Sequence, residues 1–89
     1  MKTIAITVKG KVQGVYFRNY TKTKATALGI TGTIKNLPDG NVFIIATGED
    51  YQLNDLIAYC KEGPPKAVVE EITKEDMGLQ QFSDFEITR

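Results

Sequence analysis

Apolar and polar positions alternate in the first residues of the chain and then change period. Ile or Val occupies every second position from 4 to 8, which predicts a β-strand over residues 3–8. From Phe17 to Leu28, apolar and small side chains recur at helical spacing, which predicts an α-helix. Gly29 follows where a left-handed C-cap is favoured. Gly10 and Gly14 bracket a short predicted loop between the strand and the helix.

The next segment has the pattern of a hairpin. β-branched and other apolar residues predict strands over Thr31–Asn36 and Asn41–Thr47. Leu37-Pro38-Asp39-Gly40 lies between them and is typical of a tight turn, because proline presets φ and glycine accepts a positive φ. We therefore expect the two strands to pair.

A second helix is predicted after the hairpin. Its N-cap is predicted to be Asp50, and Gly63-Pro64-Pro65 ends it because proline cannot continue a helix. Residues spaced i, i+3, i+4 and i+7 form its expected buried face: Leu53, Leu56, Ile57 and Cys60. In this position Cys60 is expected to serve as inert packing.

Two more strands are predicted, over Ala67–Lys74 and, after a polar link, over Phe82–Thr88. The element order is strand, helix, strand, strand, helix, strand, with one strand added at the end. This order is typical of the α+β, ferredoxin-like split βαβ sandwich (βαββαβ), a mostly antiparallel sheet with two helices on one face. No repeat or linker interrupts the chain of 89 residues, so we expect a single domain over residues 1–89.

Composition excludes several chemistries. The chain has no histidine and one cysteine, which rules out imidazole zinc sites, Ser-His-Asp triads, Cys-His pairs and internal disulfides. The N-terminus lacks the pattern of a signal peptide, and no apolar run approaches the about 18 residues of a membrane span. We therefore expect a cytoplasmic protein, and nothing in the sequence requires more than a monomer.

The zero net charge conceals an asymmetry between the two parts of the chain. Residues 1–38 carry seven basic residues and no acid, whereas residues 39–89 carry four basic and eleven acidic residues. The acid-free part would attract a small anion or a nucleic acid. Alternatively, the sheet brings the two parts together and cancels most of the field.

The loop between the first strand and the first helix is a candidate phosphate site. Backbone N–H groups at a helix N-terminus have no partner, and a loop containing glycine allows them to converge on an anion. Arg18 would add a planar guanidinium that matches two phosphate oxygens. The loop has neither the GxxxxGK[ST] nor the GxGxxG pattern, so it lacks the features of a nucleotide site. The alternative is a tight connection in which Arg18 is simply solvated.

Asn36 ends the second predicted strand and is a second candidate. A carboxamide both accepts and donates hydrogen bonds, so it could hold a water in line with a bound phosphoryl group. The alternative is that Asn36 only caps the hairpin turn.

Three motifs together resemble the acylphosphatase family: G-x-V-Q-G-V-x-F-R at residues 10–18, K-N-L-P-D-G at residues 35–40, and the segment Gly63–Ala67. The resemblance covers essentially the whole chain and implies a hydrolase of carboxyl phosphates that needs no metal or cofactor. It implies that Arg18 binds the phosphoryl group and that Asn36 orients the attacking water. The phosphate-binding loop that it implies consists of Gln13, Gly14, Val15, Tyr16, Phe17 and Arg18.

One departure from the family pattern lies in the second strand, where Thr33 replaces the usual aromatic residue and Ile34 is larger than usual. We expect this departure to change packing or stability and to leave activity intact. Tyr16 occupies a tolerant position of the loop, and its ring is expected to shape the acyl side of the site.

Two alternative functions remain open from the sequence. Ferredoxin-like sheets also form RNA-recognition domains, but the third strand has one aromatic and no basic residue, which disfavours nucleic acid as a partner. A non-catalytic regulatory domain that binds phosphate or a small metabolite would use many of the same residues. We expect the partners to be an acyl phosphate substrate and inorganic phosphate, with neither nucleic acid nor membrane involved.

Overall fold

The computed structural model describes residues 1–89, which form five strands and two helices. Their bounds are β1 Lys2–Lys11, α1 Phe17–Leu28, β2 Thr31–Asn36, β3 Val42–Gly48, α2 Asp50–Glu62, β4 Val68–Met77 and β5 Phe85–Ile87. The strands form one sheet in the order β4-β1-β3-β2-β5. All neighbouring pairs are antiparallel except β2 and β5, which run parallel. The ferredoxin-like α+β fold is confirmed.

The core lies between the sheet and the two helices, which pack against each other on one face. Alternate residues of the central strands β1 and β3 are buried, as their period of two predicts. Phe17, Thr21 and Ala25 of α1 and Leu53, Leu56 and Cys60 of α2 close the core from the helix side. Leu28 and Ile57 are partly buried at its margin. The predicted helical faces are therefore confirmed.

Gly10 lies within a strand and not in the loop that was expected to begin there. β1 continues to Lys11, and its register with β4 shifts between Lys9 and Gly10, which is a β-bulge. A Cβ atom at Gly10 would collide with the carbonyl oxygen of Val68, so the glycine permits a close approach of two backbones. The loop between β1 and α1 is consequently shorter, residues 12–16.

The second helix begins one residue earlier than predicted. Its N-cap is Glu49, and Asp50 is the first helical residue. The Gln52 side chain accepts a hydrogen bond of 2.8 Å from the backbone N–H of Glu49, which is half of a capping box. The prediction of Asp50 as the N-cap was wrong because Gln52, three residues after Glu49, forms the capping-box hydrogen bond with Glu49.

The bounds of three further strands also differ from the prediction. β3 covers Val42–Gly48, one residue later than expected, and β4 continues to Met77. β5 is limited to Phe85–Ile87 because it pairs with only three residues of β2. Neither helix has the length and apolar character that crossing a membrane requires.

Candidate active site

The loop of residues 12–16 has a backbone conformation that suits an anion. Gly14 and Tyr16 have φ values of 73° and 65°, whereas Val15 between them does not have a positive φ. Alternation between left-handed and other conformations turns successive N–H groups towards one point. None of the N–H groups of residues 13–16 donates to a backbone carbonyl of the chain. The loop therefore supplies four consecutive donors without a backbone partner.

The N-terminus of α1 adds its dipole to these donors. Tyr16 is the N-cap residue, its side chain forms no capping hydrogen bond, and the first turn contains no acidic residue. The positive end of the helix dipole is thus left uncompensated by the chain. An external anion would be favoured at this point.

A cavity of about 340 Å³ opens between this loop and the end of β2. Arg18, in the first turn of α1, lines it and forms no ion pair with any carboxylate. No acidic residue is among the eight that line the cavity, so its local charge is positive. They are Val12, Gly14, Tyr16, Phe17, Arg18, Asn19, Asn36 and Ile87.

Asn36 brings a carboxamide to the same cavity. It is the last residue of β2, and its carboxamide oxygen is buried without a hydrogen-bond partner. An unsatisfied buried acceptor costs about 1–3 kcal/mol. The Asn36 carboxamide lines the cavity, where it can form a hydrogen bond with a water molecule.

The structure brings together most of the residues predicted from the sequence. Gly14, Tyr16, Phe17, Arg18 and Asn36 all line the cavity.

Two residues of the predicted loop do not line the cavity with their side chains. Val15 is 7% exposed and belongs to the core. Gln13 extends to the hairpin turn, where its Nε2 atom donates to the carbonyl oxygens of Leu37 and Asn41, at 2.8 Å each. Any contact of Val15 and Gln13 with an anion would therefore use their backbone N–H groups.

Three lining residues were not predicted: Val12, Asn19 and Ile87. Asn19 is the third residue of α1, and its position in the first turn is the signal that could have identified it. Ile87 comes from β5 at the far end of the sequence, where it pairs with Ile34 of β2. No local pattern in the sequence predicts that parallel pairing.

The charge asymmetry is partly cancelled away from the cavity. Every ion pair joins a cation of the first 38 residues to an acid of the remainder, and all are surface pairs of small energy. The pairs are Met1 amino group–Glu49, Lys2–Asp50, Lys2–Asp76 and Lys9–Glu71. Arg18 and the basic residues Lys11, Lys22, Lys24 and Lys35 remain outside them. The structure thus cancels part of the charge asymmetry, and attraction of an anion by the remaining cations stays a prediction.

The single thiol is remote from this chemistry. Cys60 is buried in α2, with its sulfur 3.7 Å from the hydroxyl oxygen of Thr21. Burial raises the pKa of the Cys60 thiol to about 11, which outweighs the hydrogen bond from Thr21 that lowers it. At neutral pH the thiol is protonated and is a poor nucleophile.

The departure at Thr33 and Ile34 lies in the sheet. Ile34 is fully buried in the core, and Thr33 pairs with Ile45 of β3 and Glu86 of β5. Neither residue lines the cavity. Their effect on activity and stability stays a prediction.

Comparison with known proteins agrees with this geometry. The acylphosphatase family model matches residues 4–87. An acylphosphatase of Marinobacter nauticus is 51% identical over 82 residues, which cover 91% of this chain and 89% of the relative. The structure of an acylphosphatase from Coxiella burnetii superposes with a TM-score of 0.94 at 40% identity, covering 98% of this chain and 92% of that one.

The crystal structure of the acylphosphatase from Bacillus subtilis superposes with a TM-score of 0.97 at 32% identity and covers all of both chains. The agreement thus extends from β1 to β5 and includes the loop with its unpaired donors. On this agreement in sequence and in backbone, the chain belongs to the acylphosphatase family.

Proposed function

We propose that the cavity hydrolyses carboxyl phosphates to a carboxylate and inorganic phosphate. The observation that carries the proposal is the meeting of three features in one cavity: the unpaired N–H groups of the loop, the unpaired guanidinium of Arg18 and the carboxamide of Asn36. The first two suit a phosphoryl group, and the third suits the water that attacks it.

The loop and Arg18 bind the phosphoryl group in this proposal. The backbone N–H groups of Gln13, Gly14, Val15, Tyr16 and Phe17 donate to its oxygens, and the guanidinium donates two parallel bonds. Each charge-assisted bond contributes roughly 1.5–3 kcal/mol. These donors also stabilise the charge on the equatorial oxygens in the transition state.

Asn36 positions the water for an in-line attack. Its carboxamide forms a hydrogen bond with the water and so points an oxygen lone pair of the water at phosphorus. The bond from phosphorus to the acyl oxygen breaks, the bond from phosphorus to the water oxygen forms, and the carboxylate leaves. The proton of the water passes to a phosphate oxygen. Since a carboxylate is a good leaving group, no general acid is needed, and positioning can supply up to about 7–11 kcal/mol.

The acyl group lies at the open side of the cavity in this proposal. Tyr16 is 81% exposed at the cavity mouth, so its ring can contact the acyl chain that extends into solvent. In this proposal residues 1–89 act as one domain and as a monomer, as the sequence suggests. The proposed location, which rests on the sequence, is the cytoplasm.

Hydrolysis of benzoyl phosphate, followed by ultraviolet absorbance, tests the proposal. The wild-type protein should accelerate the reaction over buffer. Asn36→Ala should lower kcat by about 10²-fold, because the water loses its partner, while KM changes by less than about twofold. A contaminating phosphatase would give equal rates in both preparations. No acceleration by the wild-type protein would refute the enzyme, and a wild-type kcat in Asn36→Ala would place water positioning elsewhere.

A further inference from the structure

The side chain of Gln13 spans the gap between the loop and the hairpin. Its carboxamide nitrogen has two hydrogens, and both are used at 2.8 Å, one on the carbonyl of Leu37 and one on the carbonyl of Asn41. These are the only side-chain hydrogen bonds between residues 12–16 and residues 36–41. The side chain is therefore committed to the hairpin and does not face a bound anion as a donor.

The two carbonyls that Gln13 binds form the mouth of the hairpin turn. The backbone N–H of Leu37 donates to the Asn41 carbonyl at 2.8 Å, and the N–H of Gly40 donates to the Leu37 carbonyl at 3.1 Å. Leu37 is covalently joined to Asn36. Gln13 thus holds the backbone at the point from which the Asn36 side chain extends into the cavity.

The sheet ties Asn36 to β1 only indirectly. β1 and β2 are not neighbours, and Asn36 is connected to Val8 of β1 through Val42 of β3, whereas Gln13 joins the loop itself to the turn after Asn36. The carboxamide oxygen of Asn36 has no partner in the chain, so its position depends on the backbone that carries it. A displacement of about 1 Å in such a group can lower a rate by about 10²-fold.

We propose that Gln13 is a positioning residue that sets the distance between the phosphate-binding loop and Asn36. The inference rests on the proposed function, in which Asn36 holds the attacking water. Gln13 contributes to catalysis through Asn36 and, by its side chain, not through the anion. Its two hydrogen bonds align the water with the phosphoryl group.

Replacement of the donors gives the first test. Gln13→Met keeps the length of the side chain and removes both N–H donors, so kcat with benzoyl phosphate should fall by about tenfold. The inhibition constant of inorganic phosphate should change by less than about twofold, because the loop and Arg18 remain. Gln13→Lys restores a donor at similar reach and should recover at least part of kcat. Gln13→Leu provides a second variant without donors if Gln13→Met does not fold.

Asp39→Ala is a matched control for the stability of the hairpin. The Asp39 carboxylate accepts two hydrogen bonds from Asn41 in the same turn, at 3.0 and 3.1 Å, outside the cavity. Its removal should lower the melting temperature and leave kcat unchanged. An equal loss of kcat in Asp39→Ala and Gln13→Met would make the effect one of stability and overturn the proposal.

A double-mutant cycle decides between positioning and a separate role. Because Gln13 acts through Asn36, Gln13→Met should lower kcat little further in the Asn36→Ala background. A full tenfold loss in that background would overturn the role of Gln13 while the proposed function stands. Absence of turnover in the wild-type protein would overturn both, and it would be seen before any variant is compared.

Discussion

The N-termini of the two helices are built in opposite ways. At α2, Gln52 at the third helical position accepts a bond from Glu49, and Asp50 occupies the first turn. The amino group of Met1 pairs with Glu49 at 3.2 Å, and Lys2 pairs with Asp50 at 3.2 Å. The chain thus satisfies the end of α2 with its own side chains and charges.

The end of α1 is left unsatisfied. Its N-cap is a left-handed Tyr16 without a capping bond, and its first turn contains the cation Arg18 and no acid. A missing cap costs about 0.5–2 kcal/mol, and a non-glycine residue in the left-handed region costs roughly 1–3 kcal/mol. The chain bears these costs only at the helix that lines the cavity. The difference supports the proposal that an anion from outside the chain completes the α1 end.

The largest effect is expected when the cation is removed from the α1 end. Arg18→Ala should lower kcat/KM for benzoyl phosphate by about 10³-fold or more, because the guanidinium contacts the ground state and the transition state alike. Binding of inorganic phosphate, measured by competitive inhibition or calorimetry, should weaken in parallel. Arg18→Lys keeps the charge but loses the planar guanidinium, so its kcat/KM should lie between those of the wild type and Arg18→Ala. Undiminished phosphate binding in Arg18→Ala would contradict the inference that the unsatisfied N-terminus of α1 is the anion site.

Local patterns predicted much of the fold. The bounds of α1 and β2 agree with the prediction because their ends are set by local features, namely Gly29 as C-cap and the Leu37–Gly40 turn. β5 was predicted too long because its length depends on parallel pairing with β2, which no neighbouring residue specifies. β4 was predicted too short because antiparallel pairing with β1 continues through polar residues.

The site was predictable where it lies in a motif and unpredictable where it depends on the tertiary structure. Arg18 and Asn36 belong to two recognisable segments, and they line one cavity. The sequence could not predict that the Gln13 side chain turns away to the hairpin, since its partners are backbone carbonyls and leave no trace in residue type. Nor could it predict that Ile87 closes the cavity.

A smaller effect, on stability alone, is expected at the α2 end. Besides accepting from Glu49, Gln52 donates to the carbonyl of Leu28 at 2.7 Å and so joins α2 to the last residue of α1. Gln52→Met removes both bonds and should lower the free energy of unfolding by about 2 kcal/mol, measured by urea denaturation. Values of kcat and KM at a temperature where the variant is folded should match the wild type. A loss of kcat without a loss of stability would mean that the α2 end also serves the cavity.

The smallest effect is expected at Asn19, where one substitution can make the N-terminus of α1 resemble that of α2. Asn19 is the third residue of α1, the position that Gln52 holds in α2, and its side chain is exposed at the cavity. Asn19→Asp gives the α1 end the acid it lacks, which should stabilise the helix dipole by about 0.3–1 kcal/mol and raise the melting temperature slightly. The same charge repels a phosphate dianion, so the inhibition constant of phosphate should rise by about tenfold, an effect of about 1.4 kcal/mol.

The two consequences of Asn19→Asp have opposite signs, and this separates them from general damage to the protein. The loss of phosphate affinity should shrink as salt is added, because the charges are near the surface and are screened. Asn54→Asp adds the same charge to an exposed position of α2 and should leave phosphate affinity unchanged. If Asn19→Asp gained stability and still bound phosphate as the wild type does, the free end of α1 would not be the anion site. A stabilised helix with weakened phosphate binding would instead show that the missing cap is retained for the ligand.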